Sequence, residues 1–479
     1  MKFTKMLRRG AQASMATLTT LAWLSPVWAA SSPDIVITDP LPRSFYVSKC
    51  GNNTDGTTWA TAWNELNQIN WSKISSGATI SIDGGAQSMT YHSSLTVPAQ
   101  APAVQIVRAQ AAGKSGQVIV ENLAPMAVGS RTAGISIMTP NAVSINGGNW
   151  RGIVVKNFPI GVNVAAQPVA TPLTSTASGT SNNGSSPNIP SGNTTLSGLL
   201  IENCGYPTQP LGVAPFGTGI LDGGRCTVLG TIVKDCAYGA ICYGGGATLN
   251  ISNSWFHNNF YFGKTSDTGG IDNHGGNSTV NVSNSVLGPG LNYSIADYKF
   301  QGITSTSFGT KSGTNMQNCL LIDPARQGIS VFYDNSGTFK GSHITSFMTD
   351  LSPYSDAARC MKDQANSVAE LQITNSVIYG GTVEVPLTAQ PLAGQPNIPV
   401  GYKHNTQFKT HGNTTFLAPR EVDPQFKTNV GLYKSNVPIT TLLSTDYSLS
   451  SSSPAIGAGS SLTSVAQLLS RFPLTAQPQ

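Results

Sequence analysis

The stretch Leu199-Leu200-Ile201-Glu202-Asn203-Cys204 decides how we interpret this chain. It has the length of a short β-strand with one buried face, and it ends in an amide side chain. The intervals between related stretches are irregular, which indicates a solenoid whose coils carry loops of different length. Each related stretch ends in Asn or Asp, and in most of them a Cys or Ser comes next. They lie at 153–157, 231–236, 249–254, 280–285, 315–319 and 371–376.

The recurring stretch predicts an all-β chain wound into a right-handed parallel β-helix. Neighbouring coils of such a solenoid lie about 4.8 Å apart. The terminal Asn of one coil can then hydrogen-bond to the Asn of the next, so that a ladder satisfies the buried amides. A β-sandwich is the competing architecture, but it does not explain why Asn recurs at the same phase of successive strands.

Composition supports β structure and disfavours helices. Charged residues make up 10% of the chain, against about 25% in ordinary domains. Helical surfaces normally need Glu and Lys, which are scarce here. A chain with so few charges and so many hydroxyl and amide groups could also be disordered. However, 39% of the residues are hydrophobic, which suffices for a large core.

The sequence predicts one structural domain over residues 45–460, with a cap and two interruptions. Trp59, Trp63 and Leu66 fall at helical spacing and predict a short N-terminal capping helix that plugs the first coil. A Pro/Ser/Thr-rich insertion is predicted at about 168–197 and a loop-rich stretch at 385–424. Residues 30–44 are interpreted as an extension and 461–479 as a tail.

Residues 1–29 are interpreted as a signal peptide. They carry Lys2, Lys5, Arg8 and Arg9, then an uncharged stretch, then small residues before the expected cleavage after Ala29. The chain has 27 basic and 22 acidic residues, and four of the basic ones lie in this segment, so the mature chain is close to neutral. This balance argues against a nucleic-acid partner. We therefore expect a secreted or periplasmic monomer that has no membrane partner.

Seven cysteines in an exported chain leave at least one unpaired. Cys204, Cys236 and Cys319 all follow the Asn or Asp that ends a strand, which predicts one stack of inward thiols. Cys226 and Cys242 are the candidate disulfide. No Cys or His spacing typical of zinc is present in the sequence.

Both ends of the predicted solenoid resemble those of a known group of proteins. The stretches 45–48, 51–56 and 59–66 resemble the opening of secreted right-handed β-helix proteins of the pectate-lyase-like superfamily. The stretches 422–426, 446–449 and 453–459 resemble their close. The resemblance implies the fold but no single activity, because the superfamily includes polysaccharide lyases, glycoside hydrolases, sugar epimerases and non-catalytic surface proteins.

Candidate functional residues concentrate in residues 255–363, which are richer in charge and histidine than the preceding coils. Aromatic side chains with amide neighbours suit sugar rings, and the candidates for binding substrate are Trp255, Tyr261 and Tyr333. Three carboxylates follow Asn253, Asn284 and Asn318 at similar intervals, which predicts a stacked acidic face that can hold calcium. These carboxylates are Asp267, Asp297 and Asp334.

Cations near that acidic face complete the predicted site. Lys264, Lys299 and Arg326 are the candidates for removing a proton, and His274 is a candidate acid or base. Calcium held against a uronate carboxylate would make the neighbouring proton more acidic, so the pattern predicts β-elimination from an acidic polysaccharide.

Two other classes of function stay open from the sequence. One is a non-catalytic carbohydrate-binding or surface β-helix. The other is a glycoside hydrolase or sugar epimerase, since hydrolysis needs two carboxyl groups at a defined separation. The ordered Asp pairs, Gly-His-Gly and Arg-x-Lys of polygalacturonase-type hydrolases are not matched here, which places the hydrolase below the lyase.

Overall fold

Parallel β-strands dominate the part of the chain that the computed structural model describes. The described residues are 43–126, 130–148, 150–164, 192–205, 217–243, 246–259, 268–273, 277–288, 300–305, 312–322, 327–331, 338–347, 356–360, 370–374, 376–379, 382–386, 409–411, 427 and 450–453.

Each complete coil has three strands, which we call a, b and c in chain order. The a strands are β1 (Ser44–Val47), β2 (Ala78–Ile82), β5 (Val104–Arg108), β8 (Val143–Asn146), β11 (Asn193–Ser197), β14 (Arg225–Leu229), β17 (Thr248–Ser252), β20 (Thr279–Ser283) and β27 (Glu370–Thr374). The b strands are β3 (Ser88–Tyr91), β6 (Gln117–Glu121), β9 (Ile153–Lys156), β12 (Leu199–Glu202), β15 (Ile232–Lys234), β18 (Trp255–His257), β21 (Val286–Leu287) and β28 (Val377–Tyr379). Two long strands run through both the a and b positions, namely β23 (Gly313–Ile322) and β25 (Thr338–Phe347).

The c strands form a separate sheet. They are β4 (Leu95–Val97), β7 (Ala133–Ile137), β10 (Ile160–Val164), β13 (Thr218–Asp222), β16 (Tyr238–Cys242), β19 (Thr268–Asn273), β22 (Phe300–Ser305), β24 (Gln327–Val331), β26 (Asp356–Cys360), β29 (Thr382–Pro386) and β30 (Lys409–His411). We call this 11-stranded sheet sheet 2, and the 19-stranded sheet of a and b strands sheet 1.

Every strand pairs in parallel with the equivalent strand of the neighbouring coil. For example, β14 pairs with β17 from Arg225 opposite Thr248 to Leu229 opposite Ser252, with no shift of register. Parallel strands joined by crossovers are right-handed in nearly all proteins. The predicted all-β parallel β-helix is therefore confirmed.

The core runs along the inside of the coils, and sheet 2 approaches the b strands very closely there. A Cβ added at Gly161 would lie 2.5 Å from the Ile201 side chain, and one at Gly219 would lie 2.5 Å from the Val233 side chain. Real Cβ atoms do not come that close to their neighbours, so the c strands need glycine at this position.

We expect Gly239→Ala to destabilise the protein by about 3 kcal/mol, the upper end of typical overpacking costs. The new Cβ would lie 2.3 Å from the backbone oxygen of Gly270 and 2.8 Å from the Phe256 ring. The measurement is the midpoint of guanidinium chloride unfolding. Gly313→Ala is the matched control, because its Cβ would meet only the Thr338 hydroxyl, at 3.6 Å. Equal midpoints for the two variants would contradict the close approach.

Two ladders of turn residues stack along the solenoid, where the sequence predicted one. The first lies between b and c strands, and there Asn258 donates to Asp235 and Asn203 donates to Asn157. The second lies between a and b strands, and there Asn318 Nδ2 donates to Asn284 Oδ1 over 2.6 Å. The backbone φ is positive at all of these residues, a conformation that Asn and Asp tolerate well.

The sequence copies therefore belong to two different corners. Asn157, Asn203 and Asp235 end b strands, whereas Asn253 and Asn284 end a strands. The short interval between Asp235 and Asn253 arises because the motif changes corner there. Within the first ladder, Asp235 and Asn258 come from consecutive coils and are 23 residues apart in the sequence.

The cysteines divide in the same way, which corrects the prediction of one thiol stack. Cys204 and Cys236 follow the first ladder, and Cys319 follows the second. Cys319 continues a row with Ser285, whose hydroxyl likewise donates to the carbonyl two residues earlier. The candidate disulfide is wrong in the described structure, where Cys226 and Cys242 are buried free thiols.

The N-terminal cap is real but not the predicted amphipathic helix. Helical structure there consists of two short 3₁₀ helices, Leu66–Gln68 and Trp71–Lys73. Trp63 instead bridges to Val47 and stacks on Phe45 with ring centroids 5.7 Å apart. The tryptophans therefore close the first coil through irregular structure.

Several predicted segments lie wholly or largely outside the described residues. These are the signal peptide 1–29, the extension 30–44 except for residues 43–44, the insertion 168–197 before residue 192, most of 385–424, and the tail 461–479. Strand β11 already begins at Asn193, so the predicted insertion extends too far by a few residues. None of the helices in the described residues has the length and apolar character needed to cross a membrane.

Candidate functional site

A second group of buried apolar residues lies on sheet 2, separate from the main core. It contains Ile160, Leu221, Tyr238 and Ile241, with Tyr243 packed against it. These side chains come from the neighbouring strands β10, β13 and β16. We call this group the sheet 2 cluster.

Polar groups continue the same rows of sheet 2. Asn163 is opposite Leu221, Leu221 is opposite Ile241, and Ile241 is opposite Asp272. Asp272 is 6% exposed. Among the described residues, the buried Oδ1 atom of Asn163 has no hydrogen-bond partner. Sheet 2 thus places a buried carboxylate and a half-buried amide in one line with apolar side chains.

Tyr243 and Arg131 add an aromatic face and a cation to this region. Burial raises the pKa of Tyr243, and the positive charge of Arg131 opposes that rise, which places the two groups near each other. Aromatic faces combined with a carboxylate, an amide and a guanidinium are suited to sugar rings and their hydroxyl groups. The sheet 2 cluster with Arg131, Asn163 and Asp272 is therefore our candidate site.

Nine of the ten predicted site residues lie outside the described residues. They are Tyr261, Lys264, Asp267, His274, Asp297, Lys299, Arg326, Tyr333 and Asp334. Their roles in catalysis, substrate binding and metal binding stay predictions.

The strand boundaries nevertheless show which of these residues are next to a strand of sheet 2 in the sequence. Strands β19, β22 and β24 are consecutive neighbours in that sheet. Asp267, Lys299 and Arg326 are the residues that directly precede these three strands. The predicted carboxylates do not occupy equivalent sequence positions relative to these strands, because Asp297 precedes β22 whereas Asp334 follows β24.

Trp255 is the predicted substrate-binding residue that the structure describes, and it is buried. Its side chain is 2% exposed, its indole Nε1 donates to the Gly288 carbonyl over 2.8 Å, and its ring stacks on His257 at 4.0 Å. This environment favours a packing role. Contact with substrate stays a prediction for this residue.

His257 ends a row of alternating charges on the b strands. Lys156 pairs with Glu121 at 3.2 Å, and Lys234 pairs with Glu202 at 3.1 Å. Burial, followed by the charges of Lys234 and Arg151, lowers the pKa of His257 to about 3. His257 is therefore neutral at ordinary pH. The other residues of the row form ion pairs that stabilise the contact between coils.

Within the described ranges, no group of three or more His, Cys, Asp or Glu side chains is arranged to hold a metal ion. The carboxylates predicted to bind calcium, Asp267, Asp297 and Asp334, lie outside those ranges. Carboxylate oxygens are suitable calcium ligands, so their chemistry fits the ion.

Sequence reasoning did not select Arg131, Tyr238, Tyr243 or Asp272. The available signal for Asp272 was the stretch Gly269-Gly270-Ile271-Asp272-Asn273, in which a carboxylate follows an apolar strand residue. Recognising it requires the register of sheet 2, because Asp272 joins the other residues only through strand pairing.

Comparisons with known proteins found a likeness in structure alone. No protein-family model matches the chain, and no curated protein matches it. A solved structure described as "Crystal structure of pectate lyase Pel9A" is similar, with 11% sequence identity and a TM-score of 0.38. The match covers 86% of this chain and 90% of that chain. The assignment of this chain to the parallel β-helix architecture rests on its own strand register.

Proposed function

We propose that the chain is an exported protein that binds an acidic polysaccharide along sheet 2 and cleaves it by β-elimination. The observation that carries the proposal is that β19, β22 and β24 are neighbouring parallel strands of sheet 2. These neighbouring strands are directly preceded by Asp267, Lys299 and Arg326. Because neighbouring parallel strands lie about 4.8 Å apart, a polymer lying across the coils meets ionisable groups from successive strands.

The sheet 2 cluster supports the same substrate class. Tyr243, which is half-buried and packs against the cluster, offers aromatic surface, and Arg131 offers a planar cation that matches a carboxylate. The half-buried amide of Asn163 can hydrogen-bond to a sugar hydroxyl group, and the buried Asp272 lies in the same row of sheet 2. This composition favours a uronate-containing chain over a purely neutral one at sheet 2.

β-Elimination needs a base, a group that neutralises the uronate carboxylate, and a proton for the leaving oxygen. The base removes the proton on the carbon next to the carboxylate, and the bond to the glycosidic oxygen breaks to leave an unsaturated sugar. We assign the base to Lys299 or Lys264, because an amine with a lowered pKa can accept a proton. Arg326 stays charged and pairs with the carboxylate, and His274 supplies the proton.

Calcium and the remaining aromatic residues complete the proposal. Calcium bound by Asp267, Asp297 or Asp334 would withdraw charge from the uronate carboxylate. Tyr261 and Tyr333 would provide further surface for sugar rings. We place the mature protein outside the cytoplasm because of the N-terminal segment 1–29.

The test is to incubate the mature protein with uronate-containing and neutral polysaccharides and to measure the mass of the products. We expect oligosaccharides one water lighter than hydrolysis products, from the acidic polymers alone. Lys299→Ala should reduce the rate at least about a hundredfold, because it removes general base catalysis. Lys340→Ala is the control, since Lys340 is an exposed lysine on sheet 1.

Other products would favour other functions. Products that carry a full added water would support the glycoside hydrolase and contradict the lyase. Polymers bound but left intact would support the non-catalytic carbohydrate-binding alternative. The same assay with a calcium chelator tests the metal, since cleavage that survives chelation contradicts a calcium requirement.

A further inference from the structure

The outer side of strands β17 and β20 on sheet 1 is a polar surface. Strands β17 and β20 present the same three outward residues, Thr-x-Asn-x-Ser. The alternate residues, such as Leu249 and Ile251, are buried in the core. We call the outward residues the polar face: Thr248, Asn250, Ser252, Thr279, Asn281 and Ser283.

Strand register keeps the polar face regular. β17 pairs with β20 over five consecutive residues, and β20 continues into β23 in the same way. Equivalent side chains therefore recur about every 4.8 Å along the solenoid, and the rows lie roughly 7 Å apart across each strand. All six residues are half-buried, which leaves part of each side chain open to solvent.

The corner beside the polar face is tight, so no loop rises there. β17 and β18 are separated only by Asn253 and Ser254, and β20 and β21 only by Asn284 and Ser285. Asn253 and Asn284 have positive φ and turn the chain at once. At this corner the described chain therefore leaves the edge of the polar face low.

A third amide ladder, on the outer side of the strands, orients the polar groups of the face. Asn281 Nδ2 donates to Asn250 Oδ1 over 2.8 Å, and Asn315 Nδ2 donates to Asn281 Oδ1 over 2.8 Å. An amide has two N–H donors and two acceptor positions, so Asn281 keeps one of each for a ligand. Because the ladder already fixes these side chains, little conformational entropy remains to be lost on binding.

We propose that the polar face is a second carbohydrate-binding site, and that its ligand is a neutral, hydroxyl-rich polysaccharide. The six residues carry no charge, which complements an uncharged polymer. Hydroxyl and amide groups both donate and accept hydrogen bonds, as sugar hydroxyls do. The site is separate from sheet 2, and it does not depend on cleavage by the chain.

Asn281→Lys tests the proposal by raising a charged side chain from the middle of the face. The backbone accepts lysine in this row, because Asn281 is opposite Asn315 and Asn315 is opposite Lys340. Asn281→Ser is the conservative variant, since serine and threonine occupy the same row at Ser144 and Thr195. Asn67→Lys adds the same charge at an exposed position of the cap and is the matched control.

Binding is measured by retardation in gels that contain a soluble neutral β-glucan or, separately, polygalacturonate. The full-length mature protein should be retarded by the neutral polymer, and Asn281→Lys should weaken this binding about tenfold, the effect of one or two lost hydrogen bonds. Asn281→Ser and Asn67→Lys should bind nearly as tightly as the unmodified protein. Circular dichroism and the melting temperature show whether each variant is folded, and Asn250→Lys replaces Asn281→Lys if the latter is not.

The outcomes separate this site from sheet 2. Loss of neutral polymer binding in the lysine variant, with polygalacturonate binding and cleavage unchanged, supports the polar face. Absence of neutral polymer binding in the unmodified protein overturns it, whatever happens to cleavage. Equal neutral polymer binding by Asn281→Lys and Asn67→Lys overturns it as well.

Discussion

Asp222→Asn should make the protein more stable at pH 8 by an amount on the order of 4 kcal/mol. Asp222 lies in the interior of the solenoid and is fully buried. Burial raises the pKa of its carboxyl group to about 7, although the Gly224 N–H donates to it over 2.9 Å and partly opposes the rise. The Cys242 thiol, 4.0 Å from Oδ2, is a weak partner.

The direction of the pH effect follows from the raised pKa. Well below pH 4 the carboxyl is protonated in both the folded and the unfolded chain, and near pH 4 its burial costs little because the unfolded carboxyl is only partly ionised. As pH rises towards 7, the unfolded chain loses the proton first, so the folded state loses stability until the folded carboxyl ionises too. Asparagine cannot ionise, and it is accepted in this row, because Asn273 is opposite Cys242 and Cys242 is opposite Asp222.

The measurement is the unfolding midpoint in guanidinium chloride at pH 4 and at pH 8. The difference between the variant and the unmodified protein should be small at pH 4 and large at pH 8. Asp55→Asn is the control of opposite sign, because hydrogen bonds from Thr61 and Thr57 lower the pKa of Asp55 to about 2. A difference for Asp222→Asn that does not change with pH would show that this carboxyl is not buried as described.

Phe256→Ala should destabilise the protein by about 3–5 kcal/mol. Phe256 is 1% exposed and continues the inward row of b strands between Val233 and Leu287. Its ring also fills the space beside Gly239, where a Cβ would lie 2.8 Å from the ring. Alanine would leave a cavity that the regular coils on either side cannot close without shifting their register.

The loss of stability in Phe256→Ala is measured from the midpoint of guanidinium chloride unfolding at neutral pH. Leu229→Ala is the control, because Leu229 is 37% exposed on the outer side of sheet 1. It should change stability by less than about 0.5 kcal/mol, as surface substitutions usually do. A small cost for Phe256→Ala would mean that the inward row of the b strands is loosely packed.

The fold was predictable from the sequence because short apolar stretches that end in Asn carry the solenoid pattern locally. The assignment of these stretches to one ladder failed because both corners require the same physical feature, a residue that tolerates positive φ before a small inward side chain. Asn203-Cys204 and Asn284-Ser285 meet that requirement equally well. Only strand pairing shows that they occupy different corners.

The candidate site was less predictable, since it depends on which residues are opposite each other across coils. Asp272, Ile241 and Leu221 meet through register, and the connecting segments between their strands differ in length. The buried carboxyl of Asp222 was missed for a related reason. Nothing local distinguishes an inward Asp at a strand end from an outward one until the turn Gly223–Gly224 is placed.

The tight corner between a and b strands has an evolutionary consequence. From β11 to β21 that corner holds at most two residues, whereas β10 and β11 are separated by residues 165–192 and β12 and β13 by 203–217. The long connecting segments of these coils therefore lie at the two ends of the sheet 2 strands. A segment beside sheet 2 can therefore be lengthened in a descendant without disturbing the stacking of the coils, whereas an insertion at the tight corner would interrupt the polar face.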